Sequence, residues 1–232
     1  MNSPLESTAL FHLGPVAVTA GVVVTWVIMA ILTLGAIAAT RRLSLTPGRL
    51  QSVLELVVDV VDSQIRDTMR AEPGPFRAFI GTLFLFILVA NWSSLVPGVE
   101  PPTAHVETDA ALALLVFFAI IYFGIQAGGV RGYLATFAAP NAIMIPLNLV
   151  ESLTRTFSLI VRLFGNVMSG VFVIGIVMSL AGLLVPIPLI ALDLLTGAVQ
   201  AYIFATLAMV FIAGTAGEAG GEAASPTERT SP

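Results

Sequence analysis

Residues 148–170 read NLVESLTRTFSLIVRLFGNVMSG. The stretch is apolar enough to enter a membrane, yet it carries Glu151, Arg155 and Arg162. An arginine at the centre of a membrane helix costs roughly 2.5 to 3.5 kcal/mol on insertion scales. At about 100° per residue, six polar side chains of one helix fall within roughly 60° of one another. These are Asn148, Glu151, Arg155, Arg162, Asn166 and Ser169. We call them the polar stripe, and it must face protein or water rather than lipid.

The composition predicts a membrane protein. The chain has 232 residues, of which 57% are apolar and 10% are charged, whereas an ordinary soluble domain is about 25% charged. We therefore expect a single all-α polytopic membrane domain over residues 1–232, with about five spans. Because the sequence has no cysteine, disulfides, iron–sulfur clusters and thiolate metal sites are excluded. A net charge of −4 gives no indication of a nucleic-acid partner.

Apolar runs and chain breaks divide the sequence into five predicted spans. They are residues 16–40, 76–96, 110–127, 141–184 and 189–213. The fourth is too long for one perpendicular crossing, which favours a tilted helix or a helix with a kink near Gly165. Residues 128–140 are expected to form a short loop. Residues 214–232 are polar and rich in Gly, Ala, Ser and Glu, and this composition predicts a disordered tail.

Residues 47–71 have an amphipathic pattern. The members of the apolar face are Leu50, Val53, Leu54, Val57, Val58, Val61 and Ile65. Most of the charged residues lie off this face, as expected for a helix that lies at the membrane surface. The alternative is a soluble helix that packs on a partner.

Arginine bias predicts the orientation in the membrane. Six arginines lie between Arg41 and Arg77, whereas residues 100–109 contain none. The first of these segments should therefore be cytoplasmic and the second should be outside. With five spans, the N-terminus is outside and the C-terminus is cytoplasmic.

The last predicted span carries a second set of polar residues. Asp193, Thr196 and Gln200 are spaced at i, i+3 and i+7, which places them on one helix face. Together with the polar stripe, they indicate a polar path between two tilted helices. The alternative for Gln200 is a hydrogen bond between helices.

Arg162 could instead form a structural ion pair with Glu151 or Asp193. Glu151 is eleven residues from Arg162, about 16 Å along a helix axis. It is better placed for Arg155 at i, i+4. The spacing therefore leaves Arg162 without a partner on its own helix.

The remaining candidates lie near the predicted outer side. Asn91 in the second span could serve packing or function. His105, Glu107 and Asp109 could form the mouth of an aqueous path or simply a solvated loop. The sequence has no HExxH, GxSxG, P-loop or GxGxxG motif, so we expect no metal site, no cofactor and no catalytic activity.

Four segments carry a resemblance to a known family. They are Asn91 with Pro97-Gly98, PPTAHVETDAALAL at 101–114, PLNLVESLTRTFSLIVRLFGNVMSG at 146–170, and LLTGAVQAYIFATL at 194–207. The most specific are RLFGN and, on the next helix, QAYIF. On these segments the chain resembles subunit a of bacterial F-type ATP synthases, the stator subunit beside the rotating c-ring, from the second span to the last. Its length and departures are similar to those of the N-type subgroup, which is proposed to pump sodium.

The resemblance implies a role for each matching residue. Arg162 corresponds to the essential arginine that faces the c-ring carboxylate, and Gln200 and Asn166 lie beside it. Glu151 matches an acid of the cytoplasmic half-channel. Many members carry a carboxylate where this chain has Val171, so Asp193 becomes the expected acid of the outer half-channel.

The resemblance also implies the partners and the location. It implies a c-ring, subunit b and other ATP synthase subunits, membrane lipid, H⁺ or Na⁺ as the transported ion, and the bacterial inner membrane. His105 and Glu107 depart from the family's usual Asp and Asn, which puts conduction through this loop in doubt. From the residues alone, two other readings stay open. One is a stand-alone secondary transporter that uses Glu151, Arg162 and Asp193, and the other is a structural membrane scaffold.

Overall fold

The computed structural model describes residues 9–13, 16–41, 49–96, 99–138, 144–181 and 186–223. A short antiparallel hairpin, β1 and β2, precedes six helices. Two short 3₁₀ helices lie between α3 and α4. The bounds are β1 Ala9–Leu13, β2 Val16–Thr19, α1 Ala20–Thr40, α2 Arg49–Met69, α3 Gly74–Trp92, 3₁₀ helices Ser93–Leu95 and Pro102–Ala104, α4 Val106–Ala138, α5 Ile145–Ala181 and α6 Pro186–Ala223. Five of the helices, α1 and α3–α6, are long and apolar enough to cross a membrane. The predicted all-α polytopic class is confirmed.

The first two spans have different bounds from those predicted. The prediction of a helix from Val16 was wrong, because Val16–Thr19 pairs with Ala9–Leu13 and the helix begins at Ala20. The second span begins at Gly74, with Pro75 in its first turn, where the missing N–H of a proline costs nothing.

The third span is longer than predicted. The loop expected at residues 128–140 is helical as far as Ala138, and only Gly129 departs from helical geometry, with φ of 70° and ψ of 172°. A positive φ is readily available only to glycine. Gly129 therefore kinks α4 inside the predicted loop, close to the predicted end of the span, and the residues after it form a second helical piece as far as Ala138.

The last two helices also extend beyond expectation. α5 is continuous through Gly165, so its length is accommodated without a break there. α6 begins at Pro186 and includes Pro188 in its first turn, as a helix start allows. The polar residues from Gly214 to Ala223 continue this helix, so the prediction of a disordered tail was wrong over these residues. Residues 224–232 lie outside the described residues.

Helix α2 is attached to α3 by an ion pair. α2 covers nearly all of the predicted range 47–71. Asp62 on this helix is buried and accepts a hydrogen bond from Arg77 Nε of α3 at 2.6 Å, together with a second, shorter bond from the same guanidinium. Arg70 follows the helix in a left-handed conformation, with φ of 51°, and ends it.

α6 is the central helix of the bundle. It packs against α3, α4 and α5, whereas α1 contacts α3 at the edge. Phe204, Met209 and Ile212 of α6 are buried together with Leu159 and Leu163 of α5. Helix α5 exposes most of its length. This arrangement leaves one long face of α5 uncovered by the other described residues.

Candidate ion-translocation site

Two contacts fix how α5 and α6 lie against each other. Arg155 of α5 lies over the ring of Phe211, 5.2 Å from its centroid. Gly170, farther along α5, lies against the carboxylate of Asp193, because a Cβ added there would stand 3.0 Å from Asp193 Cγ. The two helices are therefore antiparallel. Interpolating between these contacts at 1.5 Å per residue places Arg162 within roughly 4 Å of the level of Gln200 along the axis.

The polar stripe runs along the border between the buried and the exposed faces of α5. Leu159, Leu163 and Val167 form the buried face. Three members of the stripe, Asn148, Arg155 and Asn166, are half-buried, and the other three, Glu151, Arg162 and Ser169, are exposed. The stripe was predicted to face protein or water, and its observed position at the edge of the bundle is consistent with that prediction.

Arg162 is one of the exposed members of the stripe. Among the described residues, no carboxylate oxygen lies within 4.0 Å of its guanidinium. Both acids that could have paired with it are engaged elsewhere: Glu151 pairs with Arg155, and Asp193 lies beside Ser94 and Gly170. Neither structural ion pair considered from the sequence is present in the described part of the chain.

The predicted pairing of Glu151 with Arg155 is confirmed. The guanidinium donates a short hydrogen bond to Glu151 Oε1. Both side chains are about half exposed, so the pair contributes little to stability. Asn148, one turn earlier, donates to the carbonyl of Thr136 on α4 at 3.5 Å. This end of the polar stripe therefore touches both α4 and α6.

Two amides near Arg162 have free donors. Gln200 is only 6% exposed, and within the described residues its Nε2 has no hydrogen-bond partner. The Nδ2 of the half-buried Asn166 likewise has no hydrogen-bond partner among the described residues. A buried donor without a partner costs about 1–3 kcal/mol. Both N–H donors are therefore available to water or to an acceptor group of another chain.

The two hydroxyls of the predicted path bond to their own helices. Thr196 Oγ1 donates to the carbonyl of Asp193 at 3.0 Å, and Ser169 Oγ donates to the carbonyl of Asn166 at 2.8 Å. Such bonds to the preceding turn are common for Ser and Thr in helices. These hydroxyls retain acceptor capacity, and among the described residues neither donates a hydrogen bond to the neighbouring helix.

Asp193 occupies a space that a glycine leaves open. Its half-buried carboxylate lies against Gly170 and accepts a long hydrogen bond from Ser94 Oγ, 3.5 Å away. Gly170 immediately precedes Val171, where the resemblance leads one to expect a carboxylate. An acid carried on α6 thus reaches the surface of α5 next to that position.

Asn91 ties three elements together. It is 5% exposed, its Nδ2 donates to the carbonyl of Gly197 at 2.8 Å, and its Oδ1 accepts a bond from Thr103 Oγ1 at 2.7 Å. Both ends of the amide are satisfied, as expected for a buried polar group. Of the two readings of Asn91, these contacts favour packing.

The segment between α3 and α4 is arranged differently from the pattern that the sequence suggested. Glu107 is exposed, and His105 Nε2 lies 3.6 Å from Glu100 Oε2. The imidazole also packs on Gly21 of α1, where an added Cβ would stand 2.8 Å from its Cδ2. The acid that enters the interior is Asp109, which sequence reasoning named only as a member of this cluster. The sequence signal for its burial was its position in the first turn of an apolar helix.

Comparison with known proteins identifies the family. The model of the ATP synthase A chain family matches residues 22–213. ATP synthase subunit a 2 of Bradyrhizobium sp. is 57% identical over 216 residues, which cover 93% of this chain and 97% of that protein. The proteins of the same name from Pelobacter propionicus and Acaryochloris marina are 47% and 44% identical, over 90% and 92% of this chain and 92% of each relative. The chain belongs to the ATP synthase subunit a family.

This membership confirms the resemblance drawn from RLFGN and QAYIF. The chain is a bacterial, multi-pass membrane subunit of F-type ATP synthase with a function in ion translocation. The family match begins at residue 22 in α1 and ends at residue 213 in α6.

Proposed function

We propose that Arg162 is the gate between two polar half-channels that exchange H⁺ or Na⁺ with the carboxylates of a rotating c-ring. The observation that carries this proposal is the position of its guanidinium. Arg162 is an exposed residue, and its guanidinium is unpaired among the described residues. Gln200, whose Nε2 is free, lies near the same level of the neighbouring helix.

A fixed positive charge at this point can drive ion exchange. A rotor carboxyl group is cheap to move through lipid when neutral and expensive when ionised. Arg162 favours the ionised form of a carboxyl group that approaches it, so the rotor group releases its ion there. The same charge repels H⁺ or Na⁺ and prevents a direct leak between the two paths. One charge crossing 100 mV releases about 2.3 kcal/mol, which is available for rotation only when that leak is blocked.

Polar groups lie along α5 on both sides of Arg162. The Glu151–Arg155 pair begins seven residues away, roughly 10 Å along the axis, and Gly170 with the Asp193 carboxylate lies eight residues away in the other direction, roughly 12 Å. We assign Asn148, Glu151 and Arg155 to the cytoplasmic half-channel. Asp193 belongs to the outer half-channel, with Ser169 and Thr196 near it.

The orientation and the partners follow the same proposal. The arginine-rich segment from Arg41 to Arg77 lies on the cytoplasmic side, so the N-terminus is outside and the C-terminus is inside. The uncovered face of α5 binds the c-ring, and subunit b and other ATP synthase subunits complete the stator. The chain itself carries no catalytic step and acts as a non-catalytic subunit of the complex.

The experiment measures ATP-driven ion uptake in vesicles that hold the whole complex. Wild type is compared with Arg162→Ala and Arg162→Lys, in H⁺ medium and in Na⁺ medium. The alanine variant should lose uptake while the complex stays assembled. The lysine variant should also be impaired, since lysine can lose its proton when buried whereas arginine stays charged.

Arg131→Ala serves as the matched control. Arg131 is exposed on the last part of α4, so its removal tests the loss of an arginine away from the gate. Control uptake should equal that of wild type, and the medium that sustains wild-type uptake identifies the ion. Normal uptake by Arg162→Ala would refute the gate.

A further inference from the structure

Asp109 is an acid in a core position. It lies in the first turn of α4 and is 0% exposed. Leu112, Ala113 and Val116, at i+3, i+4 and i+7, lie on the same helix face and belong to the hydrophobic core. The helix therefore turns this carboxylate inward together with its apolar side chains.

Nothing in the described chain neutralises this carboxylate. Both of its oxygens are buried without a hydrogen-bond partner, and none of the ion pairs among the described residues includes it. The neighbouring titratable groups point elsewhere, since Glu107 is exposed and His105 faces Glu100. A buried carboxylate without a partner is strongly disfavoured as an ion. The group must hold a proton or a bound cation.

The helix that carries Asp109 packs on the short 3₁₀ helix that precedes it, and that element takes part in a set of polar contacts. The 3₁₀ helix Pro102–Ala104 packs on α3, α4 and α5. Within it, the fully buried Thr103 bonds to Asn91. Ser94, one turn beyond Asn91, bonds to Asp193. Polar contacts thus run from the 3₁₀ helix before α4, through the buried Asn91 and the half-buried Ser94, to the half-buried carboxylate of Asp193.

We infer that Asp109 is a transit site for the transported cation in the outer half-channel, where its carboxyl oxygens hold H⁺ or Na⁺ on the way to Asp193. This inference rests on the proposed function, because it needs a cation path on the outer side. It places the working acid of the loop on the buried Asp109 instead of on His105 or Glu107.

The first test replaces the carboxyl group of Asp109 with an amide of nearly the same shape that cannot ionise. Asp109→Asn, Asp109→Glu and the control Asp67→Asn are compared with wild type in ATP-driven uptake by the whole complex, in H⁺ and in Na⁺ medium. Asp67 is an exposed acid on α2. We expect Asp109→Asn to lower uptake at least tenfold, Asp109→Glu to recover part of it, and Asp67→Asn to match wild type.

The second test asks whether a cation reaches this position. Because the chain has no cysteine, Asp109→Cys introduces its only thiol. Ag⁺ is applied from the outer side to right-side-out vesicles, and the thiol that it protects is then measured by maleimide labelling of the denatured chain. Leu112→Cys, on the same buried face, is the control. Protection should be at least tenfold faster at position 109 than at position 112.

The outcomes separate this inference from the proposed function. Normal uptake by Arg162→Ala refutes the gate and the inference together. Lost uptake in Arg162→Ala with normal uptake in Asp109→Asn refutes the inference alone. If Asp109→Asn does not assemble, the Ag⁺ result decides, and equal protection at positions 109 and 112 overturns the inference. If the cysteine variant also fails to assemble, Asp109 is a folding residue and the inference is rejected.

Discussion

The contact between Gly170 and Asp193 gives a quantitative prediction for Gly170→Ala. An added Cβ would stand 3.0 Å from Asp193 Cγ and closer still to Oδ1, whereas ordinary contacts are 3.4–4 Å. The carboxyl group must therefore retreat or change rotamer, and overpacking of this kind costs about 1–3 kcal/mol. Alanine gains about 1 kcal/mol over glycine in a helix. The net expectation is a loss of stability of about 0–2 kcal/mol.

Gly175→Ala is the matched control for this substitution. Gly175 lies on the same helix, and an added Cβ there meets nothing within 4 Å. That variant should gain up to about 1 kcal/mol from helix propensity. The difference between the two alanine variants, about 1–3 kcal/mol, isolates the clash. Because a misplacement of about 1 Å can lower a rate by about 10², uptake by Gly170→Ala should also fall.

A double-mutant cycle identifies the partner of the clash. Thermal unfolding of the purified complex and ATP-driven uptake are measured for Gly170→Ala, Asp193→Ala and the double variant. Once Asp193 is shortened, Gly170→Ala should cost no stability and should behave like Gly175→Ala. If its full cost persists in the Asp193→Ala background, the reasoning from this contact is refuted.

Two further substitutions test the contacts that hold the bundle together. Asn91→Ala should lower stability by about 1–3 kcal/mol, because it leaves Thr103 Oγ1 and the Gly197 carbonyl without their partner; an unchanged unfolding temperature would contradict this. The hydrogen bond from Arg77 holds the pKa of Asp62 below its ordinary value of 3.8, so its stabilisation is present above that value and is lost as the pH falls through the folded-state pKa. Asp62→Asn should therefore destabilise the complex at pH 7 and flatten its loss of stability in acid, and parallel pH profiles of variant and wild type would argue against the ion pair.

The apolar runs predicted that five membrane helices exist but not where they end. Hydropathy marks the part of a helix that lies in lipid, whereas the end of the helix is set by backbone geometry and capping. α4 continues beyond Gln126 to Ala138 although Gly129 interrupts it, and α6 continues through Gly214 to Ala223. At the other end of the chain, Val16–Thr19 has the apolarity of a span but pairs as a strand.

Periodicity predicted contacts within a helix and missed those between helices. The spacing of Glu151 and Arg155 gave their ion pair directly, because i, i+4 neighbours meet on any helix. The approach of Asp193 to Gly170 depends on how two helices are aligned, which no local pattern encodes. The burial of Asp109 likewise depends on the packing of α4 against the rest of the bundle.

The exposure of Arg162 indicates what the uncovered face of α5 requires. Apolar side chains on this side, such as Phe157 and Val161, are exposed as well, and lipid would satisfy them. Lipid would not satisfy a guanidinium, which is costly at the centre of a bilayer. Gly165 and Ser158, one turn to either side of Arg162, are small and exposed, and small residues let a second helix approach closely. A face that combines a fixed cation with room for a helix suits a membrane helix that carries a carboxyl group, which is the chemistry proposed for the rotor.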